Sequence, residues 1–267
     1  MGLEVTREIW TLTGERSNLR TDALAVEEPL EIRVNSQAIT TTMRTPGHDL
    51  GLTLGWLFAE GIVASLDDLQ ALERDANDEN VVLVQLRDGL EPDLEPRRFN
   101  SGSACGVCGK TSLDRIYARG LKRMTNSARV TAQVLYGLPD TLREVQTTFE
   151  STGGLHAAAL FTLEGGLFAV REDVGRHNAV DKLVGLSRLE NLPLEDSIML
   201  VSGRVGFEIA QKCLVARVPI LAAVGAPSSL AVDLALEFNL TLIGFLRGER
   251  ANVYSGHERV LSGPDLV

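Results

Sequence analysis

An α/β protein, built on a layered sheet with helices and preceded by a smaller β-rich part, is what the sequence predicts, and three observations carry the prediction. From Gly153 onward, apolar runs of strand length alternate with segments of helical periodicity to the end of the chain. Small turn-forming residues close each of those strands. In the first hundred residues, alternating and β-branched side chains flank short turns instead. The change of character places a boundary near residue 100, between an N-terminal β-rich part with one packing helix (1–100) and an α/β core (101–267), with a single domain as the alternative.

Taken in order, residues 1 to about 28 mix strand-like and acidic character, and Glu15 to Asp22 reads as a polar turn. Pro29 to Asn35 and Ala38 to Arg44 predict a hairpin around Asn35-Ser36. Thr45-Pro46-Gly47 stops its second strand, and Leu50, Leu54, Leu57 and Phe58 then recur at helical spacing up to Gly61. Glu73 to Asn80 reads as a solvated turn before a strand over Val81 to Arg87. Asp88 to Ser103 has no sustained apolar period and is expected to be a loop. Beyond it, Leu113, Ile116, Tyr117 and Leu121 share one helical face, and Thr141 to Glu150 suggests another helix. Ala157 to Leu163 and Leu167 to Arg171 form a hairpin around Glu164-Gly165-Gly166. Helices follow over His177 to Arg188, Val205 to Ala216 and Ser228 to Phe238, and strands over Ile198 to Val201, Ile220 to Ala223 and Leu240 to Phe245.

Composition narrows the function. A formal net charge of −10 over 267 residues argues against non-specific attraction to nucleic acid or anionic membrane. No run is apolar and long enough to span a bilayer and none reads as a signal peptide. Three cysteines, two of them closely spaced, suit a reducing cytoplasm better than a disulfide scaffold.

The close pair lies in Ser103-Ala104-Cys105-Gly106-Val107-Cys108-Gly109-Lys110. Two thiols at this spacing form a redox loop, clamp half a metal site, or present one thiolate as a nucleophile beside a second thiol, and spacing alone does not choose. A helix opening at Lys110 would favour a thiolate, with Lys110, Arg97 and Arg98 adding positive charge. Structural zinc normally needs four ligands. The third cysteine, Cys213, stands in an apolar helical pattern that suits a buried inert thiol, and His48, His156, His177 and His257 show no paired ligand spacing, so no metal site is expected. A zinc deaminase would want H-x-E and P-C-x-x-C, whereas Ala104 precedes Cys105 and His156-Ala157-Ala158 lacks the glutamate.

Four turn-rich segments fall where the core strands should end: Glu172 to Asn178, Ser202-Gly203-Arg204, Gly225 to Ser229, and Phe245 to Arg250. Ligands of α/β sheets collect there, and Arg176, Arg204, Arg247 and Arg250 supply bidentate donors for an anion. None of the four is a Walker loop or a G-x-G-x-x-G fingerprint. His156 stands at a strand start, either as a polar contact or as a proton donor near the thiols. His177 has Asp173 and Asp181 as candidate partners for an oriented imidazole.

Seven segments together resemble a known family, the formate dehydrogenase accessory sulfurtransferases or FdhD family. They are Thr45 to Leu50, Ser103 to Lys110, Thr152 to Ala158, Glu172 to Lys182, Ser202 to Arg204, Ala226 to Ala231 and Gly244 to Gly248, in family order. The resemblance implies a cytidine deaminase-like core without deaminase chemistry. It also implies a cytoplasmic sulfur carrier that takes persulfide sulfur from a cysteine desulfurase. The sulfur passes to the molybdenum or tungsten bis(molybdopterin guanine dinucleotide) cofactor of formate dehydrogenase. Cys105 matches the persulfide-bearing cysteine and Cys108 the second of its pair. Phe245, Leu246, Arg247, Gly248, Glu249 and Arg250 match the cofactor-binding segment, where Glu249 departs from the small residue expected and would repel phosphate unless it pairs with Arg247 or Arg250. Expected partners are the desulfurase, formate dehydrogenase and the guanine dinucleotide cofactor, with a homodimer among the possible assemblies. The alternatives are a zinc-stabilised cofactor chaperone and a dithiol oxidoreductase.

Overall fold

The computed structural model describes residues 2–90, 121–125 and 127–262. Cys105, Cys108, the charged residues beside them and the expected domain boundary lie outside the described residues. So does most of the predicted helical face from Leu113 to Leu121.

Strands β1 (Glu4–Thr13) and β2 (Arg16–Ala25) form a two-stranded antiparallel ribbon paired from Glu4 with Ala25 to Thr13 with Arg16. The polar turn expected over 15–22 is therefore mostly strand, and the turn itself is confined to Gly14 and Glu15, with Gly14 at φ 60°. The run carries no core pattern because both faces of the ribbon are largely in solvent, and Trp10, Leu12 and Leu19 are exposed.

Strands β3 (Glu28–Val34) and β4 (Gln37–Arg44) make the predicted hairpin, with Asn35 and Ser36 both at positive φ as a tight two-residue turn demands. With β5 (Leu69–Arg74) and β6 (Val81–Leu86) they form a four-stranded sheet in the order β4-β3-β6-β5. Helix α1 (Asp49–Glu60) packs Leu52, Leu54, Leu57 and Phe58 into one cluster with Leu30, Ile32, Val34, Val82 and Val84 of that sheet. Gly61, at φ 71°, ends it as predicted.

The core is a six-stranded sheet ordered β13-β12-β11-β10-β8-β9. Its members are β8 (His156–Thr162), β9 (Leu167–Asp173), β10 (Ser197–Val201), β11 (Ile220–Ala223), β12 (Thr241–Arg247) and β13 (Arg250–Ser255). A short pairing of β7 (Val130–Thr131) with β14 (Val260–Leu261) lies apart from it. Helices α4 (Arg176–Leu189), α5 (Phe207–Ala216) and α6 (Ser229–Phe238) cover one face of the sheet, close to the predicted spans. Alternation sorts the layers: Ala158, Leu160, Met199 and Val201 face these helices, whereas Ala157, Ala159, Phe161, Ile198 and Leu200 face α2 (Ala132–Val145). Helix α2 begins nine residues before the helix expected at Thr141, capped by the Thr131 hydroxyl, and runs through Pro139. Its buried stripe of Leu135, Leu138 and Leu142 outweighs the helix-breaking tendency of Gly137 and Pro139. A short helix, α3 (Thr147–Thr152), completes the expected segment.

Glycine joins the two parts. A Cβ on Gly55 of α1 would lie 2.1 Å from the Asp181 carbonyl oxygen of α4, and one on Gly185 would lie 1.9 Å from the carbonyl of Gly51. Only glycine lets the backbones of α1 and α4 approach this closely.

Candidate functional site

Strands β10, β11 and β12 are parallel, and β9, antiparallel to β8 as β8 is to β10, runs the same way. Their carboxyl ends therefore share one rim, which also holds the start of β8 at His156. All four predicted turn-rich segments converge there. Their backbones interlock: Gly225 N–H donates to the Gly203 carbonyl at 3.1 Å, Phe245 N–H donates to the Gly225 carbonyl at 3.1 Å, and Ser228 N–H donates to Val205 at 2.8 Å. Ala157 N–H donates to the Ser202 hydroxyl at 2.9 Å. A Cβ on Gly225 would lie 2.8 Å from the Gly203 carbonyl oxygen, and one on Gly244 would lie 2.8 Å from Pro227. These glycines are thus required by close nesting of the loops.

The rim is rich in unused donors. The side chains of Arg176, Arg204, Arg247 and Arg250 make no hydrogen bond or ion pair with any other described residue. Helices α4 and α5 open at Gly175 and Gly206 with no side-chain cap, leaving amides and positive dipole ends towards the same side. At the end of β12, Phe245 takes φ 53°, an uncommon conformation for an aromatic residue, and is part-exposed, while Leu246 is buried in the core. Arg247 and Arg250 face each other across the turn at Gly248-Glu249. Glu249, the position that departs from expectation, is exposed and forms no ion pair with either arginine.

Two imidazoles stand near Arg176. His156 lies against Gly203, where a Cβ would come within 3.3 Å of its Nδ1. Burial, then Arg176, lowers its pKa. His177, in the first turn of α4, has its Nδ1 3.2 Å from Oε2 of Glu208 in the first turn of α5. Burial, then the charges of Lys212, Arg176 and His156, brings its pKa down to about 4, so the ring is neutral at neutral pH. The sequence offered Asp173 and Asp181 as its partners, but both are engaged elsewhere. Asp181 is buried against Lys212, whose Nζ lies 2.7 and 2.8 Å from its two oxygens.

Asp173 belongs to a buried joint beneath the rim. Its Oδ2 accepts from Thr45 N–H at 3.1 Å and lies 2.7 Å from Lys182 Nζ, and its Oδ1 accepts from Gly175 N–H at 2.8 Å and Asn178 Nδ2 at 3.0 Å. Lys182 also donates to the Thr45 carbonyl at 2.7 Å, and the Thr45 hydroxyl accepts from Val174 N–H at 3.1 Å. Thr45 therefore has its N–H and hydroxyl bound to the β9–α4 turn and its carbonyl bound to Lys182 of α4. Beside it, Arg44 is buried against Asp49, 3.1 Å away, and donates to Asn80 at 2.8 Å. The joint fixes where Gly175, Arg176 and His177 stand. Sequence reasoning missed it, and missed Glu208, because the partners are far apart in the chain and no local spacing announces them.

Cys213 is the buried, inert thiol expected, its Sγ 3.5 Å from the Val218 carbonyl and its pKa pushed up by burial. Among the described residues no group of three or more His, Cys, Asp or Glu is placed to hold a metal ion, and no helix is long and apolar enough to cross a membrane.

Comparison with known proteins gives this geometry a context. The FdhD/NarQ family model matches residues 25–261. A sulfur carrier protein FdhD of Streptomyces coelicolor is 54% identical over 254 residues, covering 90% of each chain. One of Sulfurisphaera tokodaii is 43% identical over 258 residues, covering 95% of this chain and 98% of its own. A crystal structure from Desulfotalea psychrophila, described as that of a formate dehydrogenase accessory protein, has the same fold with a TM-score of 0.80 at 22% identity. It covers 97% of this chain and all of its own.

Proposed function

The chain belongs to the FdhD/NarQ family, and from that premise we propose that it is a sulfur carrier for the maturation of formate dehydrogenase, taking persulfide sulfur from a cysteine desulfurase and delivering it to the guanine dinucleotide form of the molybdenum or tungsten cofactor. The observation that carries the reading is the rim, where four arginines whose side chains have no partner among the described residues and two uncapped helix starts meet at the carboxyl ends of the core strands. That arrangement suits a ligand with several phosphate oxygens, since guanidinium groups bind them bidentately and helix N-termini favour negative charge. Within it we assign Phe245, Leu246, Arg247, Gly248, Glu249 and Arg250 to the cofactor, with the exposed Phe245 ring offering a face on which a planar heterocycle stacks.

Cys105 carries the sulfur in this reading, with Cys108 as its companion. The Cys105 thiolate attacks the terminal sulfur of the donor persulfide. One sulfur–sulfur bond forms as another breaks, and the donor cysteine leaves as its thiolate, so the step needs no outside oxidant or reductant. The reaction belongs in a reducing cytoplasm.

Intact-mass measurement after incubation with a cysteine desulfurase and cysteine tests the reading. A gain of one sulfur on the parent protein and none on Cys105→Ser is expected, since a serine hydroxyl is a poor nucleophile at neutral pH. Full loading of the serine variant, with an active client enzyme, would refute Cys105 as the carrier.

A further inference from the structure

We propose that His177 is a ligand-binding residue of the rim, held by Glu208, and that it gains a proton when a phosphate-bearing ligand is bound beside Arg176. The inference deepens the proposed function and rests on it. Its ground is the placement of charges around one ring. On α4 the neighbours are Arg176 and, one turn on, Asp181; on α5 they are Glu208 and Lys212; on β8 it is His156, itself paired across the sheet with Asp173 of β9. Asp181 and Asp173 are each matched to a lysine, so neither has a charge to spare for the imidazole. Burial, with Arg176 and Lys212 nearby, disfavours a charge on the ring, and among the described residues Glu208 is the carboxylate that meets it, 3.2 Å from Nδ1.

A carboxylate accepts hydrogen bonds and does not donate, so the neutral ring carries its proton on Nδ1 and leaves Nε2 as an acceptor. A bound phosphate diester would add negative charge beside Arg176 and offset the burial that, together with the nearby cations, keeps the ring neutral. The free energy of protonation then falls, Nε2 takes a proton from solvent, and the imidazolium stands between the ligand and Glu208, hydrogen-bonded on both sides. By linkage the ligand binds more tightly as pH falls below neutral, and the proton is lost when the ligand leaves. Glu208 acts as a positioning residue, since its carboxylate sets the tautomer and stabilises the charged form.

The test is calorimetric titration of the full-length protein with diguanosine pyrophosphate, whose phosphates are diesters with no titration near neutral pH, at pH 6 in two buffers of different ionisation heat. The parent should take up a few tenths of a proton per ligand, roughly, and bind about two- to threefold more tightly per pH unit lowered. His177→Gln should still bind with clearly smaller proton uptake, the remainder coming from Asp181 and His156, and Glu208→Gln should lower the uptake, with Glu208→Asp restoring part of it. A proton-detected titration of the His177 ring in the parent gives a readout free of any folding defect, with its midpoint moving upward when ligand is present. Binding without proton uptake, or uptake unchanged in His177→Gln, overturns the role of His177 and leaves the rim standing. No binding of the dinucleotide or of inorganic pyrophosphate by the parent overturns both.

Discussion

At the joint between β4, α1 and α4, Arg44, Asp49, Asp173 and Lys182 are buried and each lies against an opposite charge, whereas on the rim above them Arg176, Arg204, Arg247 and Arg250 have no such partner among the described residues. Both regions are polar and both belong to segments that read alike as Gly- and Arg-containing turns. The difference lies in how desolvation is compensated. A charge removed from water is tolerated only with a partner and hydrogen bonds in place, so the joint is bound to one geometry. The rim arginines keep their hydration and give it up only to something that arrives. Charges satisfied within the chain locate the site, and charges left open are available to a ligand.

The most severe way to break this contrast is to unpair the joint. Asp173→Ala leaves Lys182 buried with only carbonyl oxygens to bond, a situation that costs about 3 to 5 kcal/mol. Urea unfolding should show that loss, while Asp173→Leu combined with Lys182→Met should recover only the part due to the unpaired charge, since the N–H groups of Thr45 and Gly175 still lose their acceptor. Equal stability of Asp173→Ala and the parent would mean the pair is not desolvated as described.

Arg247→Ala probes the other side. Loss of a charge-assisted donor to phosphate should weaken guanine dinucleotide binding about ten- to a hundredfold, corresponding to roughly 1.5 to 3 kcal/mol. Its unfolding midpoint should stay within the scatter of the parent's, since the side chain is exposed and unpaired among the described residues. Sulfur loading on Cys105 should be unchanged. Unaltered nucleotide affinity would move the phosphate contact to Arg204 or Arg176, and a lowered unfolding midpoint would place Arg247 among the structural charges.

What the sequence made legible follows the same division. Strands β10 and β11 are short apolar runs buried on both faces, and helices α1 and α6 end at Gly61 and Asn239 in left-handed conformations, so local pattern found them. The rim loops were visible because sharp turns need Gly, Pro and Ser. The ribbon was missed because Arg16 to Asp22 pairs in solvent with no buried face to impose alternation. The joint was invisible for a different reason: Thr45 and Asp173 are 128 residues apart, and nothing in either segment names the other. His177 shows the consequence, since sequence proximity suggested Asp181 and the fold supplied Glu208.

The smallest effect sharpens the comparison most, because it sets one rim group against one buried group in a single measurement. Free histidine titrates near 6.5 and folded His177 near 4, so between those values the unfolded chain holds more protons and stability rises with pH. Asp181 is the opposite case. Burial raises its carboxyl from 3.8 to about 6 despite the attraction of Lys212, so the folded chain holds more protons in that window and stability falls as pH rises. The two slopes oppose each other between about pH 4 and 6. In urea unfolding across that range, His177→Gln should tilt the stability curve downward with rising pH relative to the parent, and Asp181→Asn should tilt it upward. Slopes are compared instead of absolute values, since Asp181→Asn also leaves Lys212 without its counter-charge and lowers the whole curve. The remaining carboxylates titrate in all three proteins and cancel in the differences. Three parallel curves would show that neither group is desolvated by the fold, and the distinction between a rim imidazole kept neutral chiefly by burial and a buried carboxylate held by its lysine would fail with them.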